Sequence, residues 1–377
     1  MSTLSPSPTR VLILTASMGE GHNTAAKNIR NSILAQVGSN AEVLVVDPYT
    51  RTNPLVNSLM QHGYTLAINH YPRVWKIVFE MLSKPGMIES MGPFLTQLIN
   101  AVHGLVKEFR PHVIVSTYPV FGYILAKVKK IDPAVNAPFF TIITDSTIIN
   151  SAWYRYPSDG SIVADESTAT VLINDGVEKN HVHTMGFPVG IEFEDFTPTP
   201  PPHDGIWKLL FFPGGTPRRA LETLHQLCTL TNARITIVTG HRKAIHNTIS
   251  RAGIHQRCNL IGWTDKMPEL MGSHHIFIGK AGGATVQEAI AAQIPFVVSH
   301  VVPGQEEGNI ALIQQTGIGA LAAANPDHVL HVIKGAMVND GALWRTWRKN
   351  LVHLQKPSAS QSIAKFLLEQ TMTQTNA

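Results

Sequence analysis

Short, continuously apolar runs alternate along this chain with longer stretches of helical periodicity, and that alternation restricts the fold more than any other feature. VLILTAS (11–17), AEVLVVDPY (41–49), PHVIVSTYP (111–119), APFFTIITD (137–145) and GSIVAD (160–165) read as strands, and HNTAAKNIRNSILAQV (22–37) reads as a helix between the first two. A strand that is apolar at every position is covered on both faces, as in a parallel sheet. Alternation with helices then implies right-handed βαβ units in an open, doubly wound sheet. The pattern restarts with KLLFFPGG (208–215) and a helix to about Leu230. RITIVTG (234–240), CNLIG (258–262), HIFIGK (275–280) and PFVVSH (295–300) follow as strands. The expected fold class is α/β, with two Rossmann-like doubly wound domains. A length of 377 residues agrees with two domains. The Pro-rich stretch 198–202 has no periodicity and reads as the linker. The expected division is 1–197, a linker at 198–206, 207–350, and a C-terminal segment 351–377 with a last helix at roughly 341–370. Both chain ends read as loose tails.

Bulk composition excludes more than it assigns. With 44% hydrophobic and 15% charged residues there is material for two cores. A net charge of +4 is too small to argue for nucleic acid, and no nucleic-acid partner is expected. Cys228 and Cys258 fit neither a metal spacing nor a disulfide framework, which fits a reducing cytoplasm. No stretch is long and apolar enough for a membrane span, and VLILTA is shorter than a signal-peptide core. Residues 51–130 are distinctive. They hold nine Lys and Arg against the three acids Glu80, Glu89 and Glu108, amid many Met, Leu, Trp and Phe. Such a segment either lies on an anionic membrane surface or forms ordinary helices with one core face and one solvated face.

Four loops carry the chemistry. Ser17-Met18-Gly19-Glu20-Gly21-His22 joins a strand to a helix. Its glycines let backbone approach a ligand, and the helix start attracts negative charge. It is neither a Walker loop nor a dinucleotide fingerprint. His22 falls at the strand-end edge where open α/β sheets bind ligands, placed either as a general base or as a simple helix cap. Phe212-Pro213-Gly214-Gly215-Thr216 and Gly279-Lys280-Ala281-Gly282-Gly283-Ala284-Thr285 are further strand-to-helix turns. Paired turns of free amides suit a diphosphate, although each alone is also an ordinary tight turn. Glu288 reads as a first-turn carboxylate, fitted either to two ribose hydroxyls or to the helix dipole. The polar cluster Gln305-Glu306-Glu307-Gly308-Asn309 offers donors and acceptors for sugar hydroxyls, or a solvated cap.

SMGEGH, GWTDKMPELM, GKAGGATVQEA and PGQEEGN, in this order, resemble the glycosyltransferase family of monogalactosyldiacylglycerol synthases and processive diacylglycerol glucosyltransferases, related more distantly to MurG. The resemblance covers about 10–350. It implies a GT-B fold with two domains facing across a cleft, an inverting reaction, no metal and no tightly bound cofactor. It also implies that the last helix packs back on the first half. By the same resemblance His22 is the candidate base or acceptor-site histidine of the Gly-x-Gly-His loop, and Gly19 and Gly21 count among the ligand-binding residues. Gly214, Gly215, Thr216 and Gly282, Gly283, Ala284, Thr285 contact the diphosphate. The loop 214–219 reads GGTPRR where the family has a longer glycine run, so Arg218 or Arg219, or Lys280, is expected to supply the phosphate charge. Trp263 and Met267 lie where the family holds uracil, Glu288 binds ribose, and Gln305, Glu306 and Asn309 bind the sugar. The family often has a histidine soon after its Thr-Asp pair. Here Thr144-Asp145 is followed by Asn150 and Trp153 instead.

The expectation is therefore a hexosyltransferase using a UDP-sugar, with His22 or Asp145 as base, domain closure to exclude water, and a lipid acceptor such as diacylglycerol. Its expected place is cytoplasmic, peripheral on the inner face of the cell membrane. A nucleotide-sugar epimerase, a transferase with a non-lipid acceptor, and a non-catalytic binding protein remain the alternatives.

Overall fold

A computed structural model describes residues 8–17, 20–52, 63, 74, 77–78, 80–81, 84, 86–194, 197–254, 258–304 and 306–375. The chain divides into two compact units, one formed by 1–191 with 356–377 and the other by 192–355.

The N-terminal unit holds a six-stranded parallel sheet. Its strands are β1 (Thr9–Leu14), β2 (Ala41–Val46), β3 (Val113–Ser116), β4 (Phe139–Ile142), β5 (Gly160–Val163) and β6 (Val182–Thr184), in the order β2-β1-β3-β4-β5-β6. Val11, Leu12, Ile13 and Leu14 are all fully buried. The side-chain period of two explains how. Val11 and Ile13 pack with Ala26, Ile29 and Ile33 of α1 (Glu20–Val37), whereas Leu12 and Leu14 join Leu98, Val102 and Ile124 on the other face. The latter come from α2 (Gly92–Phe109) and α3 (Phe121–Ile131). Each such side chain contributes about 1.5–3 kcal/mol when fully buried. After β5, α4 (Glu166–Asn174) is capped by Asp165, whose side chain accepts from the Thr168 amide.

The second unit repeats the design with β7 (Trp207–Phe211), β8 (Ala233–Val238), β9 (Cys258–Ile261), β10 (Ile276–Lys280), β11 (Phe296–His300) and β12 (Gly319–Leu321). Their order is β12-β11-β10-β7-β8-β9, all parallel. The helices are α5 (Pro217–Leu227), α6 (Lys243–Arg251), α7 (Met267–Ser273), α8 (Gly283–Ala291), α9 (Glu307–Thr316) and α10 (Pro326–Leu354). In each sheet the first strand is central and the chain winds out first one way, then the other. The switch points are β1/β3 and β7/β10, where open α/β sheets bind ligands.

Two expectations change. The Pro-rich stretch 198–202 is part of the second unit, because Arg348 donates to the Thr199 carbonyl at 2.8 Å and His275 Nε2 lies 3.1 Å from that of Pro200. The helix expected at 341–370 is two helices. α10 is broken at Val338–Gly341, where Asn339, Asp340 and Gly341 have positive φ. The chain then passes Pro357 and forms a C-terminal helix, Ala359–Thr375, which packs on α1 of the N-terminal unit. Most of the basic segment 51–130 that lies before Gly86 is outside the described residues.

Candidate functional site

In the N-terminal unit the loops after β1, β3 and β4 converge on His22, the third residue of α1. The Thr144 hydroxyl lies 3.0 Å from His22 Nδ1. The Tyr118 ring meets the imidazole edge-on at 5.1 Å, and the Trp153 ring lies 6.0 Å away. Burial pulls His22 down to about 4, against a hydrogen bond to the Thr117 backbone that favours the charged form. The imidazole is therefore neutral near pH 7. Asp145 follows Thr144 directly. The Trp153 indole N–H donates to Asp145 Oδ2 at 2.7 Å. Burial raises the Asp145 carboxyl to about 6, with the Trp153 hydrogen bond opposing. Thus His22 and Asp145, far apart in sequence, share one indole. Tyr49, Tyr118 and Phe121 form an aromatic cluster beside them, with centroids 6.2–6.4 Å apart. Gly21 sits in the first turn of α1, and Gly19 is outside the described residues.

In the C-terminal unit both glycine turns flank the β7/β10 switch point. Gly215 has φ +70°, which glycine adopts without strain. A side chain at Gly214 would come within 2.7 Å of the His300 Cβ, so His300 lies directly against the turn. Thr216 caps α5, its hydroxyl accepting from the Arg219 amide at 3.3 Å, and Pro217 begins the helix. Gly282 caps α8, leaving the amides of Gly283, Ala284 and Thr285 in its first turn. Lys280 Nζ pairs with Glu306 Oε1 at 3.2 Å, and its side chain is 42% exposed. Glu306 is buried, and its second oxygen accepts from the Val302 amide at 2.9 Å. It therefore aims Lys280 and anchors the start of the loop that holds it. Asn309 is buried too, donating to the Ala281 carbonyl at 2.9 Å and steadying the second glycine turn. Its Oδ1 has no hydrogen-bond partner among the described residues.

Arg218 turns along α5 to Glu222 at 2.8 Å, with its side chain 88% exposed. The cations near the first glycine turn are others. Arg242 and Arg219, with Lys280 and burial, drive His300 down to about 4, burial first. Sequence reasoning missed Arg242, His300 and Trp153. Arg242 and His300 each fall at the end of a strand on the ligand edge, and that position was the available signal. Trp263 is exposed after β9 and stacks on His241 at 5.7 Å with planes 19° apart. Met267 opens α7. Glu288 lies in the second turn of α8, not the first, because the helix begins at Gly283. The helix N-terminus is thus a weaker account of it. Burial, then the charge of Glu192, raises Glu288 to about 7. Gln305 is outside the described residues. Among the described residues no group of three His, Cys, Asp or Glu is placed to hold a metal ion.

Comparison with known proteins adds an independent line. Residues 22–189 match the family model of monogalactosyldiacylglycerol (MGDG) synthase, and 216–322 match the glycosyltransferase family 28 C-terminal domain. The processive diacylglycerol beta-glucosyltransferase of Bacillus subtilis is 23% identical over 372 residues, covering 96% of this chain and 95% of that protein. Monogalactosyldiacylglycerol synthase 2 of Arabidopsis thaliana is 23% identical over 330 residues, covering 82% and 70%. The crystal structure of Acinetobacter baumannii MurG superposes with a TM-score of 0.62 at 14% identity, covering 96% of this chain and all of that one. This last likeness is one of fold.

Proposed function

We propose that this chain, which carries an MGDG synthase domain followed by a family 28 glycosyltransferase C-terminal domain, transfers a hexosyl group from a UDP-sugar to diacylglycerol with inversion. The chain is a glycosyltransferase with the GT-B fold. The observation that carries the donor side is the pair of glycine turns at the β7/β10 switch point, each leading into a helix N-terminus amid Arg242, Arg219 and Lys280. Backbone amides, helix dipoles and cations together suit a diphosphate. Trp263 with Met267 receives the base, Glu288 the ribose, and the loop from Gln305 to Asn309 the sugar. The two relatives named for diacylglycerol products support the acceptor.

In the reaction the acceptor hydroxyl oxygen attacks the anomeric carbon as the bond from that carbon to the diphosphate oxygen breaks. The hydroxyl proton passes to Asp145. UDP leaves carrying the electron pair, and Lys280 and the amides at α5 and α8 stabilise its charge. Asp145 is a better base than His22. Its pKa of about 6 keeps it ionised at neutral pH yet more basic than an ordinary carboxylate. His22 Nδ1 is already engaged by Thr144. The aromatic cluster beside them offers the acceptor an apolar wall. Matching the N-terminal half to a synthase model favours transfer over epimerisation, which needs no acceptor.

Among the described residues no helix is long and apolar enough to cross a membrane. The chain meets its lipid by resting on the anionic inner face of the cell membrane. The test is UDP release from UDP-glucose and UDP-galactose, with and without diacylglycerol vesicles. Vesicle-dependent release with one of the two, and a β-linked glycolipid product, is expected. UDP release that ignores diacylglycerol would overturn the acceptor, and failure to bind either nucleotide sugar would overturn the whole assignment.

A further inference from the structure

We infer that Arg242 is a positioning residue for the donor diphosphate, acting through the backbone of the first glycine turn. The inference rests on the donor site proposed above. Arg242 lies two residues beyond Gly240, at the ligand edge of the sheet, and comes from a different βα loop than the turn it grips. Its Nη1 donates to the Pro213 carbonyl at 2.8 Å and its Nη2 to the Gly215 carbonyl. One rigid guanidinium thus holds two carbonyls of a single turn, a geometry lysine cannot reproduce.

The grip sets where the amides point. In a trans peptide the N–H lies opposite the C=O. With the Pro213 and Gly215 carbonyls turned to Arg242, the N–H groups of Gly214 and Thr216 are turned away from it. Neither amide makes a hydrogen bond among the described residues; Gly214 is buried, whereas Thr216 is exposed. A buried amide is nearly always paired, so that of Gly214 calls for an outside acceptor, and the Thr216 amide beside it is open to the same one. The floor of the turn is fixed as well, by His300 against Gly214 and Gly215.

Charge points to the same ligand. Among the described residues neither Arg242 nor Arg219 forms an ion pair. Both spend their donors on backbone carbonyls, Arg219 on that of Ala323 at 2.5 Å. Lys280 alone of the three is partnered, by Glu306. Two half-buried positive charges beside the unpaired amide of buried Gly214 form an anion site, and buried charge without a partner is costly unless a ligand brings one. Arg242 therefore both shapes the amide pair and supplies the field that selects a doubly charged diphosphate over a neutral nucleoside.

The experiment is calorimetric titration of the full chain, wild type, Arg242→Gln and Arg242→Lys, with UDP and separately with uridine. UDP affinity should fall about tenfold or more in Arg242→Gln, from lost charge-assisted contacts, while uridine affinity stays within about twofold. Arg242→Lys keeps the charge but loses the double grip, so its UDP affinity should lie between the two. Unchanged UDP binding in Arg242→Gln overturns the inference, as does a parallel loss of UDP and uridine. If Arg242→Gln fails to fold, the UDP-to-uridine ratio in Arg242→Lys decides: an unchanged ratio overturns the inference, a lowered one supports it. Wild-type protein that binds neither ligand would sink the donor site itself, a result separable from the variant comparison.

Discussion

At the scale of single residues, the Trp153 indole links the two groups of the proposed acceptor-side chemistry. It contacts both candidate bases, donating to Asp145 and packing near His22. The two differ in what pH does to them. Asp145 rises to about 6 from its usual 3.8, so the base form grows as pH climbs through 6 and is nearly complete above 7. His22 falls to about 4 and does not titrate there. The rate should therefore rise along a single ionisation near pH 6 and then level off. Asp145→Asn should remove that limb and cost about 10²–10⁴-fold in turnover. His22→Gln should leave the limb in place. A pH–rate profile of both variants checks this, and a limb that persists in Asp145→Asn would move the role elsewhere. The positions of His22 and Asp145 at the strand-end edge were legible because each follows an obvious strand. Trp153 was not, because its role depends on a turn, Ser151–Trp153, that folds the chain back over the sheet edge.

At the scale of elements, legibility followed burial. The central strands could be read as continuous apolar runs because both faces are covered. β6 and β12 escaped, since each has only three half-buried residues. The break in α10 was written as Asn339-Asp340-Gly341, residue types that tolerate positive φ, but the broad apolar pattern on either side obscured it. The C-terminal helix matters most. Ile363, Ala364, Leu367 and Leu368 are buried with Ile29, Ile33 and Phe140 in one core of the N-terminal unit. Ser360 donates to the Val189 carbonyl, tying the helix to the end of that unit. Cutting the chain after Gln355 would expose this whole face. Losing one buried Leu or Ile costs about 2–5 kcal/mol, and a domain holds only about 5–15 kcal/mol in all. The truncated protein should keep the UDP binding proposed for 192–355, while its N-terminal unit unfolds. Two calorimetric transitions in the full chain should become one, and an intact N-terminal transition after truncation would contradict the packing.

At the scale of the whole molecule, sequence patterning revealed two α/β halves, and the compact units divide a few residues ahead of the expected join. Proline runs read as linkers when nothing else is known, yet the stretch 198–202 is fastened to the second unit through its carbonyls, and the division falls at Ile191/Glu192. The proposed membrane attachment has a local counterpart in the segment before Gly86. Val74, Ile77, Val78 and Met81 are helical, spaced i, i+3, i+4 and i+7, and 55%, 58%, 40% and 42% exposed. Such a stripe normally faces a core. Here it faces outward, in a segment whose sequence also supplies Arg73, Lys76 and Lys84. Apolar side chains entering the acyl boundary, with cations at the headgroups, would account for both. Sedimentation with phosphatidylglycerol vesicles should carry the protein down at low salt and release it as salt is raised, whereas phosphatidylcholine vesicles should bind it poorly. Replacing Ile77 and Val78 together by Glu should cut vesicle binding about tenfold or more without touching UDP affinity. Equal binding to both lipids, or a double variant that still sediments, would return this stripe to an ordinary surface and leave the acceptor to reach the enzyme by another route.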